Sequence, residues 1–518
     1  MTWNIPLPSG SPYSEFVENK DTVTAVYNGV TREDAEAYIA ALKEAGFAMR
    51  EAGNTPERRF AALEKDGDGV FVNHYPATSE LSVVSEKNTA YFRYFDECGS
   101  AVVPAQITQI ALEDFGMSYA VRLEDGRYIV IDGGWENEPD ADKLMACLKR
   151  GTVREKPVIA AWIMTHPHVD HYRCFLVFIK KYASDVVIEK MLYTFPGLEE
   201  IRAGKGFSVG EPILDEGGEA AGLPRFFKAV SALGVPVYAP HTGQHYRIGG
   251  AMCDILASPD DDVWRRSEGG GDLNCDSLVI RMTLSSQVIL WCADALFDPM
   301  RLTARYGKAL KADILQIPHH GFNGGTPDGY ECIKPEVCFI PVSDQNCYID
   351  FCRQLDNSGY MIHNLGIREL IPGSTERTVT LPYHAPWYAA RDNEEKYAFG
   401  LRSEGAKCWF FADECTGTPE DMRFTITSVE IVPVTVYADI YFEKGADAVF
   451  SVKIPVAGRA LTVVDFLSRT GISLEASRYN RNSLAAKGLP ENARCSIRFL
   501  CDKPVVVSQK NHAAAYFA

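Results

Sequence analysis

The sequence lacks three features, each of which would point to a particular class of protein. It has no run of about 18 or more apolar residues, so it predicts no membrane-spanning helix. None of its 14 cysteines belongs to a Cys-x-x-Cys pair, which excludes a zinc ribbon and a thioredoxin-type redox site. Positive charge is in deficit, because 52 Lys and Arg residues against 69 Asp and Glu residues give a net charge of −17. A deficit of this kind disfavours a protein that binds nucleic acid over a broad surface.

The amino-terminal residues also lack the basic leader and apolar segment of a secretory signal. Scattered cysteines in a chain of 518 residues are typical of reduced, buried thiols. We therefore expect a cytoplasmic protein with no membrane partner. Apolar residues make up 46% of the chain and charged residues 23%, as in ordinary globular domains. At roughly 100–200 residues per domain, this length predicts about three domains.

Changes of pattern along the chain place the boundaries of these domains. Residues 1–104 are predicted to form a small α+β domain, with a helix that begins after Thr31 as its N-cap. Residues 105–384 alternate apolar strand patterns with helical ones, which predicts an α/β domain. Residues 385–518 contain strand patterns separated by Gly and Pro turns, with one short helix expected at Val463–Ser468. This last part is predicted to be a β-rich accessory domain.

Three histidines lie within six positions in the segment His166-Pro167-His168-Val169-Asp170-His171, although the whole chain has only 11. The segment follows the apolar run Val158–Met164, the pattern of a strand buried on both faces. Pro167 keeps His166 out of helical geometry, so the histidines are expected in a loop that leaves this strand. Imidazole and carboxylate together suit zinc, and iron and manganese also accept both kinds of ligand.

Other predicted buried strands end in residues of the same chemistry. The residues that follow them are Asp132, Asp294 and the pair His319-His320. In an open α/β sheet, ligands bind in the crevice at the carboxyl ends of the strands. Polar residues at four strand ends therefore predict a single site in residues 105–384.

Together, Asp132, His166-x-His168-x-Asp170-His171, Asp294 and His319-His320-Gly321 resemble the successive motifs of the metallo-β-lactamase superfamily. The resemblance covers about Gln106–Tyr383 and implies an αββα sandwich with a metal-dependent hydrolase activity. Asn274-x-x-Ser277, together with the His-His-Gly ending, resembles one branch of that superfamily. This branch contains competence-type (DNA-internalisation) hydrolase domains and choline-phosphate esterases.

The resemblance implies a role for each matching residue. The first metal would be bound by His166 and His168, and the second by Asp170, His171 and His320. Asp294 would bridge the two ions, which are expected to be Zn²⁺, with Mn²⁺ or Fe²⁺ as alternatives. Asp132 would orient a ligand or bind the bridging water. His319 would donate a proton or stabilise an oxyanion, although either histidine of its pair could be the ligand. The expected catalytic residues are Asp132, Asp170, His319 and Asn274.

The chain departs from the superfamily pattern at the first metal. A further histidine often completes that site, but the matching strand end here is Leu256-Ala257-Ser258. His241 is the candidate substitute and His245 is the alternative, although each could equally be a loop residue. Asn274 is a further candidate, as a weak ligand or as a phosphate contact.

The resemblance implies that a water activated between two metals attacks phosphorus or a carbonyl carbon. The branch favours a phosphodiester or a phosphomonoester, and the net charge of −17 favours a small or soluble substrate over nucleic acid. Hydrolysis of an amide, lactone or thioester is the alternative on the same scaffold. A non-catalytic metal-binding module is the third reading, because of the missing histidine.

Overall fold

The computed structural model describes most of the chain, which forms two compact units. The first unit contains residues 1–343 and 365–384, and the second contains residues 344–364 and 385–518. The described residues are 6–8, 13–18, 21–94, 96, 99–114, 116–197, 222–262, 271–322, 324–341, 367–373, 376–385, 406–419, 421–428, 431–442, 449–473 and 489–509. No helix in these ranges is long and apolar enough to cross a membrane.

The first unit begins with an antiparallel sheet that carries one helix. Its elements are β1 (Tyr13–Glu18), β2 (Thr22–Asn28), α1 (Arg32–Glu44), β3 (Ala48–Asn54), β4 (Arg59–Lys65), β5 (Asp68–Tyr75) and β6 (Glu80–Glu86). The strand order is β1-β2-β6-β5-β4-β3. Thr31 caps α1 through a reciprocal capping box with Asp34, which confirms the predicted start of the helix.

This sheet is buried on both faces. One face packs against α1, where Ile39 and Leu42 join a core with Leu63 and Val72. The alternate residues of β4 and β5 face the other way, towards residues 241–246 of the same unit. There the Asn73 side chain donates a hydrogen bond to the carbonyl oxygen of Thr242 at 2.7 Å. The sheet is therefore part of the first unit rather than an appendage to it.

Two further sheets follow in the first unit. The elements up to residue 238 are β7 (Gln106–Gln109), β8 (Ser118–Arg122), β9 (Tyr128–Asp132), α2 (Glu138–Gly151), β10 (Val158–Ile163), α3 (Val169–Tyr172), α4 (Cys174–Tyr182), β11 (Val187–Ile188), β12 (Met191–Leu192), α5 (Leu223–Leu233) and β13 (Val237–Tyr238). The later elements are β14 (His245–Ile248), β15 (Ala251–Ala257), β16 (Val279–Leu284), β17 (Gln287–Trp291), α6 (Leu302–Tyr306), β18 (Ile314–Gln316), α7 (Pro327–Ile333), β19 (Val337–Ile340), β20 (Glu369–Pro372) and β21 (Arg377–Thr380). Short 3₁₀ turns at Pro259–Asp262, Leu273–Asp276 and Pro318–Gly321 lie between strands.

The two sheets form a sandwich with helices on the outside. Their strand orders are β13-β12-β10-β9-β8-β7-β21, with β11 beside β10, and β14-β15-β16-β17-β18-β19-β20. Tyr119 of β8 packs its ring against Trp291 of β17 at 5.0 Å and against Phe339 of β19 at 5.7 Å, so these sheets face each other. On the outer side, Trp162 of β10 packs on Phe175 and Phe178 of α4. The predicted αββα architecture is confirmed.

The parallel pairing of strands sets the position of the chemistry. β9 and β10 are parallel, as are β17 and β18. The carboxyl ends of each pair therefore lie at one edge of its sheet. Asp132, the His166–His171 segment, Asp294 and the His319-His320 pair all follow these ends.

The second unit is all-β in its described part. Its strands are β22 (Ala406–Cys415), β23 (Arg423–Ser428), β24 (Val434–Phe442), β25 (Val449–Val456), β26 (Leu461–Asp465) and β27 (Arg494–Gln509). They are ordered β25-β24-β27-β23-β26, with β22 paired to β27. The core includes Phe424, Ile440 and Phe499.

The helix predicted at Val463–Ser468 is wrong. Val463 and Val464 lie in β26, which pairs with β23. After the strand, the Asp465 carboxylate accepts the backbone N–H groups of Leu467 and Ser468, which closes a turn. β-Branched residues with a buried partner strand favour extended backbone, and this tertiary pairing outweighs the short helical pattern.

Candidate metal centre

The backbone turns sharply at the strand ends that carry the candidate ligands. Four non-glycine residues there have positive φ: Asp132 (54°), Ala293 (48°), His319 (49°) and His320 (54°). This left-handed conformation is uncommon for residues with a side chain and costs of the order of 1 kcal/mol or more each. Such turns persist only where the surroundings hold them, and they often occur at functional sites.

Two groups of potential metal ligands meet at Asp294. In the first group, His166, His168 and Asp294 place ligand atoms within 4.8 Å of one another. In the second group, Asp170, His171, Asp294 and His320 do the same. Every member is buried except His168, which is partly exposed. One carboxylate is therefore shared by both groups.

The individual distances describe a compact cluster. His320 Nε2 lies 3.2 Å from both the Asp170 Oδ2 and the Asp294 Oδ2 atoms. His171 Nε2 lies 3.3 Å from Asp294 Oδ1 and 3.6 Å from Asp170 Oδ2. In the first group, His166 Nε2 is 3.7 Å from Asp294 Oδ2. At these separations, the nitrogen and oxygen atoms of one group could bind the same ion.

The other ring nitrogen of three histidines is already held. His171 Nδ1 lies 2.8 Å from Asp132 Oδ2, and His320 Nδ1 lies 2.9 Å from the carbonyl oxygen of Pro341. His166 Nδ1 is 3.2 Å from the Thr165 hydroxyl. Metal-bound histidines almost always engage their second nitrogen in this way, because the contact fixes the ring orientation and the tautomer. The Nε2 atoms are thus the ones aimed at the cluster.

Asp132 lies behind this cluster and binds its supporting groups. Its carboxylate accepts the Thr165 N–H at 2.8 Å, the Thr165 hydroxyl at 2.6 Å and the His171 ring at 2.8 Å. Asp132 and Thr165 are both fully buried. Both carboxylate oxygens are engaged with the protein, which fits the orienting role that the resemblance implied.

Electrostatics makes the cluster suitable for a cation. Burial alone would raise the pKa of Asp294, but His320 and His171 hold it well below its usual value. The pKa of Asp170 is lowered by the same two histidines against the effect of burial. The pKa of His166 lies well below its ordinary value, chiefly because the ring is buried and secondly because of His171. Two carboxylates and a neutral imidazole are ligand forms that a divalent ion requires. Burial would lower the pKa of His171 and His320, but Asp294 raises both, so an ion bound here would have to displace a proton from each ring.

One orphaned atom gives a direct test of the fit. His166 Nε2 is buried and has no hydrogen-bond partner among the described residues. A buried polar atom left unpaired costs about 1–3 kcal/mol, and such exceptions call for an explanation such as an absent ion. A metal ion between His166, His168 and Asp294 would satisfy this atom. The residues present therefore fit a metal centre.

The structure does not bring the candidate substitutes for the missing histidine to this cluster. His241 Nδ1 lies 2.7 Å from Asp260 Oδ2, and the ring stacks on Phe71 of the amino-terminal sheet. His245 pairs with Asp254 on the neighbouring strand. The part of the chain that the structure describes contains no group of metal ligands that includes either histidine.

His319 belongs to neither group of ligands in the described part of the chain, and Asn274 lies in the short turn before Ser277. The His319 N–H donates to the Ala293 carbonyl oxygen at 2.9 Å, and its ring centroid is 6.3 Å from that of His320. Ser277 Oγ accepts the Asp294 N–H at 3.2 Å, which ties the Asn274–Ser277 segment to Asp294. The Oδ1 atom of Asn274 is buried and has no hydrogen-bond partner in the described part of the chain.

Sequence reasoning missed two supporting residues. Thr165 binds both Asp132 and His166, and Pro341 supplies the carbonyl oxygen for His320. Thr165 directly precedes the histidine cluster, so a hydroxyl at that position was a usable signal. Pro341 acts through its backbone carbonyl oxygen, directly after β19. Any residue type could supply that oxygen, so the sequence cannot predict the contact.

The fold is a mixed α/β sandwich, and its candidate metal ligands follow strand ends at one edge of the two sheets. Residues 112–258 match the family model described as the metallo-beta-lactamase superfamily. The chain thus carries a metallo-β-lactamase domain, which supports a metal-dependent hydrolase, with further β-rich parts before and after the domain. Its substrate is not specified by this match.

Solved structures and curated sequences were also compared with the chain. Igni18, a metallo hydrolase from the archaeon Ignicoccus hospitalis, is 13% identical, with 53% of this chain and 99% of that chain covered and a TM-score of 0.31. A beta-lactamase domain protein from Burkholderia ambifaria is 12% identical, with coverages of 52% and 67% and a TM-score of 0.24. The Anabaena sensory rhodopsin transducer is 17% identical, with coverages of 21% and 86% and a TM-score of 0.17. No curated protein matches the chain.

Proposed function

We propose that the chain binds two divalent ions, preferentially Zn²⁺, and hydrolyses a small or soluble phosphoester. The observation that carries this proposal is the shared carboxylate of Asp294. It belongs both to the group with His166 and His168 and to the group with Asp170, His171 and His320. Mixed imidazole and carboxylate ligands suit zinc, and each of the two groups of residues could hold one such ion.

The chain's own residues would hold and orient the reacting groups. Bound here, divalent ions supply positive charge that lowers the pKa of water and neutralises charge on substrate oxygens. Asp132 and Thr165 keep the His171 and His166 rings in place, because their hydrogen bonds fix both Nδ1 atoms. His319 is partly exposed beside the cluster, where it could donate a proton to the leaving group.

The choice of a phosphoester rests on the Asn274–Ser277 segment and on the His-His-Gly turn. Both resemble the competence-type and choline-phosphate esterase branch. The segment is also well placed, because Ser277 binds the backbone of Asp294 and the Leu278 N–H donates to Thr165 at 3.0 Å. Asn274 is partly exposed, and its Nδ2 group could donate to a substrate oxygen, since a phosphoryl group carries several acceptors and donors to them are needed.

Metal analysis of the purified chain is the first test. We expect about two Zn²⁺ per chain after reconstitution, and none after chelation. Asp294→Ala should abolish binding at both groups, whereas His168→Ala should remove one ion and leave the other. A chain that retains no metal after reconstitution would exclude the proposal and favour a non-catalytic module.

A substrate panel is the second test. Chromogenic phosphodiesters and phosphomonoesters, a lactone, a thioester and a β-lactam are assayed with Zn²⁺ and with Mn²⁺. We expect turnover of a phosphoester that is lost in Asp294→Ala and reduced at least 100-fold in His168→Ala. Turnover confined to the lactone, the thioester or the β-lactam would reject the phosphoester and retain the hydrolase.

A further inference from the structure

The side chain of Gln316 makes four hydrogen bonds at the end of β18, where it is fully buried. Its Oε1 atom accepts the backbone N–H groups of Cys292 and Ala293 at 2.9 and 2.6 Å. Its Nε2 atom donates to the carbonyl oxygens of Ala293 and Ile317 at 3.2 and 2.5 Å. Both the oxygen and the nitrogen of the Gln316 amide therefore make two hydrogen bonds each, and all four partners are backbone groups.

These bonds occur where two strands diverge. Trp291 and Gln316 form the last paired positions of β17 and β18. Beyond them the chain turns left-handed at Ala293, one residue before Asp294, so the N–H groups of Cys292 and Ala293 cannot continue the ladder. The Gln316 amide takes the place of the missing strand partner, which leaves this turn without unpaired N–H groups.

The same amide reaches the histidine turn. The Ala293 carbonyl oxygen, which accepts Gln316 Nε2, also accepts the N–H of His319 at 2.9 Å. Gln316 Nε2 further binds the Ile317 carbonyl, two residues before His319. One side chain thus links the backbone before Asp294 to the backbone before His320. These two ligands have atoms 3.2 Å apart.

We infer that Gln316 is a positioning residue that sets the separation between the Asp294 carboxylate and the His320 imidazole. Ala293, His319 and His320 have the left-handed backbone conformation, which is unfavourable for residues with a side chain. They keep it only because contacts with surrounding residues stabilise it. Without the Gln316 amide, the turn before Asp294 and the turn before His320 could change conformation. The distance between the Asp294 carboxylate and the His320 ring would then change. This inference rests on the proposed metal centre, because it assigns to Gln316 control over the affinity of the second group of ligands.

The decisive variant is Gln316→Met, which keeps length and volume but removes all four bonds. Gln287→Met is the matched control. Gln287 lies at the opposite end of the neighbouring strand β17, and its buried amide likewise exchanges two hydrogen bonds with the backbone of Tyr383. Both variants remove a buried backbone-binding amide, but only one of them adjoins the ligands.

The full-length chains are titrated with Co²⁺, and the visible absorption of the bound ion is recorded together with its affinity. We expect Gln316→Met to bind one of two ions about 10–100-fold more weakly, with an altered Co²⁺ spectrum. Gln287→Met should lose thermal stability yet keep the affinity and spectrum of the unaltered chain. Gln316→Glu can keep the two accepted bonds but turns an oxygen towards the carbonyl oxygens of Ala293 and Ile317, so it should also weaken the binding of one ion and alter the spectrum; it decides the question if Gln316→Met does not fold.

The outcomes separate the two proposals. If the unaltered chain binds no Co²⁺, the metal centre fails and the role of Gln316 fails with it. If the unaltered chain and Gln316→Met bind Co²⁺ with equal affinity and equal spectra, only the role of Gln316 is overturned. Equal weakening in Gln316→Met and Gln287→Met would likewise overturn it, because the effect would then be one of general stability.

Discussion

At the scale of single residues, the site contains side chains that hydrogen-bond to the candidate metal ligands and hold them in place, in addition to the ligands themselves. Thr165 is the clearest case, because its hydroxyl contacts both the Asp132 carboxylate and the His166 ring. Asp132 in turn holds His171. The Thr165 hydroxyl therefore helps to orient one histidine of each ligand group, His166 directly and His171 through Asp132. Thr165 itself belongs to neither group.

Thr165→Val tests this connection, since valine keeps the shape and removes the hydroxyl. We expect metal affinity to fall about 10–100-fold, because the orientation of His166 is no longer fixed. Isothermal titration with Zn²⁺ in a competing chelator measures this. Thr108→Val is the control, because it removes a similar hydroxyl contact, with Thr378, far along the sheet. Equal metal affinity in the two variants would argue against the role of Thr165.

At the scale of secondary structure, the sequence predicted elements best where local signals and tertiary burial agreed. The apolar run at Val158–Met164 became β10, and Thr31 capped α1. The prediction failed at Val463–Ser468, where pairing with β23 decided the conformation. β3 shows the same effect of pairing, because Ala48–Asn54 contains few residues that favour strands and its pairing with β4 supplies the missing preference.

The same distinction applies to the site. Residues within one motif, such as His166 and Asp170, could be found from their spacing. The shared position of Asp294 was anticipated only through the family resemblance. The bonds of Gln316 could not be anticipated, because they depend on how two strand ends separate in space. The contact of His241 with Asp260 instead of the cluster likewise follows from the packing of the amino-terminal sheet.

The cap of α1 provides a prediction at this scale. Thr31→Ala removes the side-chain acceptor for the Asp34 N–H and half of the capping box. We expect a loss of about 1 kcal/mol in the free energy of unfolding, measured by urea denaturation. Thr31→Ser should retain most of that stability, because serine preserves the acceptor. A Thr31→Ser variant as unstable as Thr31→Ala would contradict the capping explanation.

At the scale of the whole molecule, a buried ion pair joins the amino-terminal sheet to the metallo-β-lactamase domain. His241 bonds to Asp260, which also accepts Ser258 and, from β2, the Thr24 hydroxyl. Glu86 of β6 lies 3.8 Å from His241 Nε2. Burial alone would lower the pKa of His241, but Asp260 and Glu86 raise it to about 9.

This pair predicts the pH dependence of stability. The pKa of His241 rises on folding from an ordinary value of 6.5 to about 9. The protonated His241 therefore adds up to about 3 kcal/mol to the free energy of unfolding. This contribution is complete below about pH 6.5 and is lost as the pH rises through 9. Urea denaturation at pH 7 and pH 9.5 measures this loss. His241→Gln should be less stable at pH 7 and should show a smaller decrease with pH. The exposed His384→Gln control should behave like the unaltered chain, and an equal slope in all three would refute the assignment.

The discontinuous first unit has a consequence for the order in which the protein is made. All the candidate ligands, from His166 to His320, precede residue 343, but β20 and β21 come after residues 344–364. β20 completes one sheet beside β19, and β21 completes the other beside β7. At about 5–20 residues per second, a ribosome needs several seconds to add these strands. During that interval, two strand edges stay open on a nascent chain that already contains its whole set of ligands. A chaperone or rapid completion of synthesis would protect those edges, whereas a stalled ribosome would leave them exposed to other chains.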